Sequence, residues 1–340
     1  MKSYFDGIKK DLILRKPRSG CLEGRTELSQ GAAIIIAGPT ASGKSALALD
    51  LAEHYGGMVI NADALQCYRD LRILTARPGV AEEARAPHRL YGFLDAGERG
   101  SVARWRELAL AEIAAAVAAG RLPILAGGTG LYLRALRHGL APVPDIPPAI
   151  RDEAAALYTR LGGIQFRAEL ARLDAASAAR FPPGDRTRLT RAFEVARATG
   201  TPIGELQQRP ATPAPYRFAT VMLAPPRALL YAACDVRFAA MVASGGLAEA
   251  ATLLARRLSP ELPAMKAVGV PELFRHLSGE IALDAAVAAG SQATRRYAKR
   301  QMTWFRHQLD ADLVCVKQYS ESFCTSTRHF IDQFLLTRGR

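Results

Sequence analysis

The segment 38–45 most constrains what this chain can fold into. It fits the pattern G-x-x-x-x-G-K-[ST], in which a glycine-rich turn directs backbone N–H groups toward a phosphate chain. An apolar run, 32–37, precedes it and indicates a buried strand, and a helix-forming run, 46–53, follows it. This order predicts a phosphate-binding P-loop. The predicted ligands of the phosphate chain are Gly38, Pro39, Thr40, Ala41, Ser42, Gly43, Lys44 and Ser45, and the Ser45 hydroxyl is the predicted Mg²⁺ ligand.

Charge and cysteine content narrow the class of protein. The formal net charge is +13, which favours a polyanionic partner, although an arginine-rich composition alone could produce it. The five cysteines are dispersed and form no C-x-x-C pair, so we expect reduced thiols and a cytoplasmic location. No uncharged apolar run approaches the ~20 residues of a membrane span, so no membrane partner is expected.

Two further strand ends are expected beside the P-loop. A second strand, 58–60, leads to Asp63, and a strand at 122–126 leads to the small-residue loop 127–130. In a parallel sheet these ends share one edge, which is where ligands bind, although Asp63 could instead be a helix N-cap. No aspartate closes the 122–126 strand, which argues against a motor or GTPase because those proteins use one to hold Mg²⁺.

The pattern changes near residue 138. Prolines mark a boundary, and three helical stretches follow, with a stop at Gly162, an N-cap at Asp185 and a stop at Gly200. The third stretch is rich in arginine, and we hold a solvated face and an RNA-facing surface equally open. A strand at 216–223 and an amphipathic helix at 292–308 complete the pattern. The residues expected on the buried side of that helix are Ala293, Tyr297, Ala298, Met302, Phe305 and Leu309.

These observations predict an α/β fold with a P-loop NTPase-like parallel sheet flanked by helices, and an inserted all-helical domain. We expect a poorly structured extension at 1–30, a catalytic core at 31–137 and 208–310, a helical insertion at 138–207, and a tail at 311–340 without a readable signal. Residues 69–100 are expected to form a long irregular connection.

Five ordered motifs resemble the tRNA dimethylallyltransferases. They are the P-loop with Pro39-Thr40-Ala41-Ser42 inside it, the segment 61–68 (NADALQCY), the segment 127–132 (GGTGLY), the segment 185–189 (DRTRL) and the segment 295–305 (RRYAKRQMTWF). The resemblance covers roughly residues 32–309. Ala64 stands where that family usually has serine, and Val270 stands where an aromatic residue is common.

The resemblance implies transfer of a dimethylallyl group from dimethylallyl diphosphate to the exocyclic amine of an adenosine. That adenosine lies 3′-adjacent to the anticodon in tRNAs that read codons starting with U. The expected partners are the tRNA anticodon stem-loop, dimethylallyl diphosphate, whose diphosphate the resemblance assigns to residues 38–45, and Mg²⁺, and the expected state is a monomer. Asp63, beside the P-loop, is the expected general base, with Thr40 as a second catalytic residue. The expected tRNA contacts are Asp63, Ala64, Leu65, Gln66, Thr129, Arg151, Thr187, Arg188, Leu189, Thr190 and Arg191.

Other interpretations explain part of the sequence. A small-molecule P-loop kinase accounts for the P-loop and Asp63, but it gives the helical insertion and the basic helix 292–308 no role. An adenylate isopentenyltransferase that acts on free nucleotide fits the core and needs no extended basic surface. A non-catalytic RNA-binding module is the third alternative.

Overall fold

Six parallel strands form one sheet in the computed structural model, which describes residues 31–316 and 321–337. The strands are β1 (Ala32–Ala37), β2 (Met58–Asn61), β3 (His88–Arg89), β4 (Pro123–Gly127), β5 (Arg217–Leu223) and β6 (Leu313–Cys315), and their spatial order is β3-β2-β4-β1-β5-β6. The predicted parallel sheet is confirmed. The predicted N-terminal extension, 1–30, lies outside the described residues.

Helices cover both faces of this sheet. They are α1 (Lys44–Tyr55), α2 (Val80–Arg85), α3 (Val102–Ala118), α4 (Gly130–His138), α5 (Pro148–Ala171), α6 (Ala175–Arg180), α7 (Arg186–Thr199), α8 (Ile203–Gln207), α9 (Arg227–Met241), α10 (Leu247–Ala255), α11 (Val270–Leu277), α12 (Leu283–Gln308) and α13 (Glu321–Leu336). Strand β1 pairs with β4 on one side and β5 on the other, so its apolar run is buried on both faces. The P-loop therefore begins from the centre of the sheet.

The carboxyl ends of the strands bring the predicted site together. The P-loop follows β1, Asp63 lies two residues beyond β2, and the loop after β4 runs into α4 at Gly130. All three connections leave the same edge because β2, β4 and β1 are parallel neighbours. Topology alone thus places the phosphate loop and the carboxylate side by side.

The helical stretch after residue 147 has an apolar core of its own. Helix α5 breaks at Gly162, where φ is 69°, Asp185 caps α7 by accepting a hydrogen bond from the Arg188 amide, and Gly200 ends α7 in the left-handed conformation. The predicted helix break, N-cap and helix end are confirmed. The shared core contains Ala154, Phe166, Leu170, Ala178, Leu189, Ala192 and Phe193.

Three regions differ from expectation. The connection 69–100 contains α2 and the short strand β3, and residues 313–336 supply β6 and α13 where no signal was readable. Helix α13 packs on the α1 side of the sheet, where the Tyr55 hydroxyl donates to Asp332 at 2.7 Å. On α12 the buried set includes the polar Thr294 and Gln301, whereas Met302 is only half-buried.

One helical stretch, Arg227–Ala255, is long and apolar enough to cross a membrane by length and composition alone, with a mean hydropathy of 1.5. Buried helices of globular proteins pass the same test. Here Leu230 and Cys234 pack with Ala298 of α12, and Arg237 lines a cavity beside Asp63. Only 22% of the most apolar window is buried, so the stretch packs on the protein through one side.

Candidate active site

The P-loop has the backbone geometry of an anion cradle. Ala41 and Gly43 both adopt positive φ, at 62° and 90°, and such reversals turn successive N–H groups toward one point. Helix α1 starts at Lys44 with no acidic residue in its first turn, so its positive dipole end is open to an anion. Pro39 has no N–H and supplies its carbonyl to Lys44 instead.

Lys44 is a buried cation with few partners. Its side chain is 7% exposed, and Nζ donates one hydrogen bond, of 3.3 Å, to the Pro39 carbonyl. Burial lowers the pKa of Lys44 to about 8, an effect that the Asp63 charge opposes and the Arg237 charge increases. A phosphate oxygen would supply the countercharge that this ammonium group lacks.

One carboxylate oxygen of Asp63 accepts a hydrogen bond from the protein, and the other is free among the described residues. Its Oδ1 accepts a hydrogen bond of 3.1 Å from the Leu65 amide, and its own amide donates to Asn61 Oδ1 at 2.8 Å. The N-cap alternative is not borne out, because Ala64 is the N-cap of the 3₁₀ turn at 65–67 and that turn has no side-chain cap, so the Leu65 contact of Oδ1 is an Asx-type turn. Oδ2 accepts no hydrogen bond within the described residues, and it faces Gly128, where an added Cβ would lie 3.2 Å away. The free oxygen is available to a ligand.

The loop after β4 supports the Asp63 segment. Thr129 Oγ1 accepts a hydrogen bond of 2.9 Å from the Ala64 amide, and the Thr129 amide donates to the Ala62 carbonyl at 3.2 Å. An added Cβ at Gly127 would lie 2.1 Å from the Ala62 carbonyl carbon, so only glycine permits this approach. Thr129, predicted to contact tRNA, thus also fixes the backbone on both sides of Asp63.

A cavity of about 50 Å³ lies between Thr40 of the P-loop and Asp63. Its polar lining consists of Thr40, Asp63, Thr75, Arg237, Thr294 and Tyr297, and its apolar lining consists of Leu65, Leu74, Phe238, Met241 and Val268. The cavity therefore has polar groups suited to an anion and an amine beside a surface suited to a small hydrocarbon.

Two side chains that line the cavity, Arg237 and Tyr297, were not predicted from the sequence to lie there. Arg237, half-buried on α9, joins Lys44 as a second cation, and burial lowers its pKa while the Asp63 charge opposes that change. Its only sequence signal is its place next to the buried positions Cys234 and Phe238. Tyr297 was expected to pack in the core, and the structure places it at the cavity wall, with burial as the main cause of its raised pKa.

Gln301 is the third group that sequence reasoning missed. It lies in the quoted motif 295–305 and is 6% exposed. Its Oε1 accepts a hydrogen bond from the Thr40 amide at 2.8 Å, and its Nε2 donates to the Gly128 carbonyl at 2.9 Å. The Thr40 amide is therefore engaged within the protein, so Thr40 can serve the predicted diphosphate site through its side chain rather than its N–H.

The predicted tRNA contacts divide into accessible and inaccessible side chains. Gln66 is buried and donates through Nε2 to the carbonyls of Thr75 and Ala76, and Leu65 lines the cavity. Leu189 is fully buried in the insertion core, so its side chain cannot reach a surface ligand. The exposed or half-exposed members are Ala64, Thr129, Arg151, Thr187, Arg188, Thr190 and Arg191.

The two arginine-rich helices differ in how their charges are compensated. On α7, Arg188 pairs with Asp185 at 3.2 Å and Arg191 pairs with Glu194 at 3.4 Å. On α12, Arg295 pairs with Asp235 and Arg300 stacks on Tyr297. The remaining basic residues of α12, Arg296, Lys299 and Arg306, form no ion pair within the described part of the chain. The stronger uncompensated positive charge therefore lies on α12.

The predicted Mg²⁺ ligand, the Ser45 hydroxyl, is exposed in the first turn of α1. No group of three or more His, Cys, Asp or Glu side chains that could hold a metal occurs among residues 31–316 and 321–337. Mg²⁺ commonly keeps several waters and binds through one or two protein ligands together with substrate phosphates. The residues present fit that mode of binding and do not fit a cage built by the protein alone.

Comparisons with known proteins agree with the fold. A family model described as IPP transferase matches residues 66–308. A tRNA dimethylallyltransferase of Rhodospirillum centenum is 59% identical over 280 residues, covering 82% of this chain and 89% of that protein. A tRNA dimethylallyltransferase of Rhodospirillum rubrum is 56% identical over 310 residues, covering 89% and 95%.

Solved structures share the architecture. The full-length tRNA isopentenylpyrophosphate transferase of Bacillus halodurans is 31% identical, with a TM-score of 0.66 over 90% of this chain and 97% of that one. A eukaryotic dimethylallyltransferase, described as acting on tRNA, gives a TM-score of 0.76 at 24% identity, over 91% and 81% of the two chains. At that identity the second likeness shows the fold alone.

Proposed function

The chain belongs to the IPP transferase family, and we propose that it is an enzyme that transfers a dimethylallyl group to tRNA at the cavity between the P-loop and Asp63. The observation that carries the proposal is the meeting of three groups at one cavity. The Arg237 guanidinium, the Asp63 carboxylate with its free oxygen, and an apolar wall line this cavity, and Lys44 lies near enough for the charges of Asp63 and Arg237 to act on it. Each group has a separate part in alkyl transfer.

The donor we propose is dimethylallyl diphosphate. Its allylic C–O bond breaks, and the electron pair leaves with the diphosphate. The positive end of α1, the Lys44 ammonium and the Arg237 guanidinium are suited to stabilise that growing negative charge. Thr40, whose backbone is fixed by Gln301, lines the cavity where the leaving oxygen would lie. The apolar residues beside it, Leu74 and Met241 among them, would hold the five-carbon group.

Asp63 is the general base in this proposal. The new N–C bond forms at the exocyclic amine of an adenosine, and one proton of that amine passes to the free Oδ2 of Asp63. An aryl amine attacks poorly because its lone pair is delocalised, so a base that accepts this proton contributes roughly 10²–10⁴-fold. The hydrogen bond from the Leu65 amide to Oδ1 holds the carboxylate in one orientation.

Mg²⁺ is the proposed metal ion, held by the Ser45 hydroxyl and by the diphosphate itself. When bound, it supplies positive charge that favours departure of the diphosphate. The protein's part is to present that hydroxyl at the start of α1, beside Lys44.

The acceptor we propose is the adenosine 3′-adjacent to the anticodon in tRNAs that read codons starting with U, as the family resemblance implies. This base must leave its stack to enter a cavity between loops. We propose that residues 138–207 form a helical insertion that grips the anticodon stem-loop with Arg151 and the exposed side chains of 187–191, around a core formed by 31–137 and 208–310. We further propose that α12 adds phosphate contacts and that the protein works as a cytoplasmic monomer.

Nucleoside mass spectrometry tests the proposal. The protein is incubated with unmodified tRNA, Mg²⁺ and dimethylallyl diphosphate, and the digested nucleosides are analysed for a dimethylallyl-adenosine. Parallel reactions replace tRNA by free adenosine monophosphate, or replace the donor by ATP. Modification of tRNA alone supports the proposal. Modification only of the free nucleotide favours an adenylate isopentenyltransferase, phosphate transfer from ATP favours a kinase, and no product in any reaction favours a binding module.

A further inference from the structure

We infer that Gln301 is a positioning residue that fixes the diphosphate-binding loop relative to the loop that supports Asp63, and thereby sets the rate of the transfer step. The inference rests on the proposed function, which supplies the reaction whose rate is measured. Nothing in the sequence distinguishes this glutamine from its polar neighbours on α12. Its two hydrogen bonds in the structure do.

The contacts of Gln301 join two loops that are far apart in sequence. The side-chain oxygen accepts from the Thr40 amide in the P-loop at 2.8 Å, and the side-chain nitrogen donates to the Gly128 carbonyl after β4 at 2.9 Å. An added Cβ at Gly128 would lie 2.1 Å from Nε2, so the loop approaches the amide as closely as glycine allows. A single planar amide therefore sets the spacing between the two loops.

Each loop carries one half of the reaction. On the P-loop side, the bonded amide belongs to Thr40, whose side chain lines the cavity. On the other side, Gly128 precedes Thr129, which accepts from the Ala64 amide and so holds the segment that contains Asp63. A shift at Gln301 would change the distance between the donor and the base, and a misplacement of about 1 Å can reduce a rate on the order of 10²-fold.

Helix α12 provides a rigid base for this bridge. Thr294, Tyr297, Gln301 and Trp304 follow one another at spacings of three and four residues, so they lie along one face of the helix. The first two line the cavity, and Trp304 packs against Gly130, where an added Cβ would lie 2.1 Å from its ring. One helical face therefore contacts the cavity, the P-loop and the β4 loop in order.

The chemistry of the bridge requires an amide. The partner in the P-loop is a donor and the partner after β4 is an acceptor, so the side chain must present one oxygen and one N–H. A carboxylate would keep the contact with the Thr40 amide and place a second acceptor against the Gly128 carbonyl. A methionine would fill the space and make neither bond.

The test compares Gln301→Met and Gln301→Glu with wild-type protein and with Gln308→Met. Gln308 lies on the same helix and is exposed, and its side chain accepts one hydrogen bond of 2.9 Å from Arg134. Single-turnover transfer, tRNA affinity, dimethylallyl diphosphate affinity from the dependence of rate on its concentration, and thermal midpoint are measured for each protein. For Gln301→Met we expect transfer to fall about ten- to hundredfold while both affinities stay within about threefold. Gln308→Met should transfer at the wild-type rate.

Gln301→Glu adds a readout that lost packing alone would not change. Protonation of the new carboxyl restores a donor toward Gly128, so its rate relative to wild type should rise as pH falls. Wild-type transfer by Gln301→Met would overturn the inference, as would affinities that fall as much as the rate, or a Gln301→Glu to wild-type ratio that stays flat with pH. Absence of transfer by the wild-type protein would instead overturn the proposed function.

Discussion

Asp63 Oδ1 accepts a hydrogen bond of 3.1 Å from the Leu65 amide, so the same carboxylate that lines the cavity also binds the backbone two residues further on. Its other oxygen, Oδ2, accepts no hydrogen bond from the part of the chain that the structure describes. The hydrogen bond on Oδ1 orients the side chain, and Oδ2 is the atom that accepts the proton in the proposed reaction. A substitution can therefore remove the second role and keep the first.

Replacement of Asp63 by asparagine should keep the hydrogen bond with the Leu65 amide and remove the general-base function. The asparagine oxygen still accepts from the Leu65 amide, but its amide nitrogen cannot take a proton from the acceptor amine. We expect single-turnover transfer to fall by about 10²–10⁴-fold, with tRNA affinity within a few-fold of wild type. Asp284→Asn, at an exposed position in the first turn of α12, is the control and should transfer normally. Equal losses of tRNA binding and of transfer would contradict the general-base role.

Lys44 should reduce stability at neutral pH in the absence of ligand. Burial lowers its pKa to about 8 from 10.5, so below pH 8 the folded protein holds a charge that the unfolded chain solvates better. As pH rises from about 8 to 10.5, only the folded state releases this proton, and the penalty disappears. The stability that Lys44→Met gains over wild type should thus shrink across this range, by on the order of 3 kcal/mol.

Urea unfolding of both proteins at pH 7 and pH 9.5 covers part of this range, and between those two pH values the gap should shrink by about 2 kcal/mol. The comparison between the two proteins cancels other groups that titrate in the same range. A gap that stays constant with pH would show that Lys44 keeps an ordinary pKa in the folded protein.

Leu74 should limit the length of the prenyl group. It is buried at the apolar wall of the cavity, and its amide donates to Glu249 Oε1 at 2.9 Å, which fixes its backbone. Leu74→Ala removes three carbons from that wall. It should raise kcat/KM for geranyl diphosphate relative to dimethylallyl diphosphate by about tenfold. The reason is that each methylene accommodated in an apolar pocket contributes about 1 kcal/mol or more of binding free energy. Leu277→Ala, which packs on the same core away from the cavity, should leave the ratio unchanged. Competition between the two donors measures it.

Helix α12 should dominate the salt dependence of tRNA binding. Arg296 and Lys299 form no ion pair within the described residues, whereas the arginines of α7 must first release acidic partners. Each phosphate contact contributes about 0.7–0.9 to the slope of log Kd against log salt, so Arg296→Gln and Lys299→Gln should each lower the slope by up to that amount. Arg85→Gln, which removes a residue paired with Glu53 at 2.7 Å, is the control. Unchanged slopes in both α12 variants would place the tRNA elsewhere.

The sequence predicted the parts of the site that depend on topology. A P-loop after a buried strand and Asp63 after the next one must share an edge when the strands are parallel, and the break at Gly162 and the cap at Asp185 follow from local backbone chemistry. Gln301 and Arg237 were not predicted because their roles depend on which side of a helix packs against distant loops. A polar residue on an amphipathic helix is normally assigned to solvent, and only tertiary contacts show that these two face inward.

Strand β6 and helix α13 were missed for a related reason. Strand β6 has three residues, Leu313–Cys315, too few for an alternating pattern to emerge. It becomes a strand because β5 offers it an open edge, where Val221 pairs with Leu313. The sheet edge, rather than the propensity of the segment, determines its conformation.

Gly127 should be the glycine of the site that least tolerates a side chain. An added Cβ would lie 2.1 Å from the carbonyl carbon and oxygen of Ala62, and both are backbone atoms held by the pairing of β2 with β4. Gly127→Ala should therefore lower the free energy of unfolding by about 2–3 kcal/mol, as overpacking of a tight core does, and should reduce transfer because the displaced backbone leads to Asp63. Gly204→Ala provides the comparison. It lies in α8 with nothing within 4 Å of an added Cβ, and alanine there should be neutral or stabilise by up to about 1 kcal/mol. Urea unfolding and single-turnover transfer are measured for both variants. Similar free energies of unfolding and similar rates for the two would show that the backbone between β2 and β4 accommodates the added methyl group without a loss of stability.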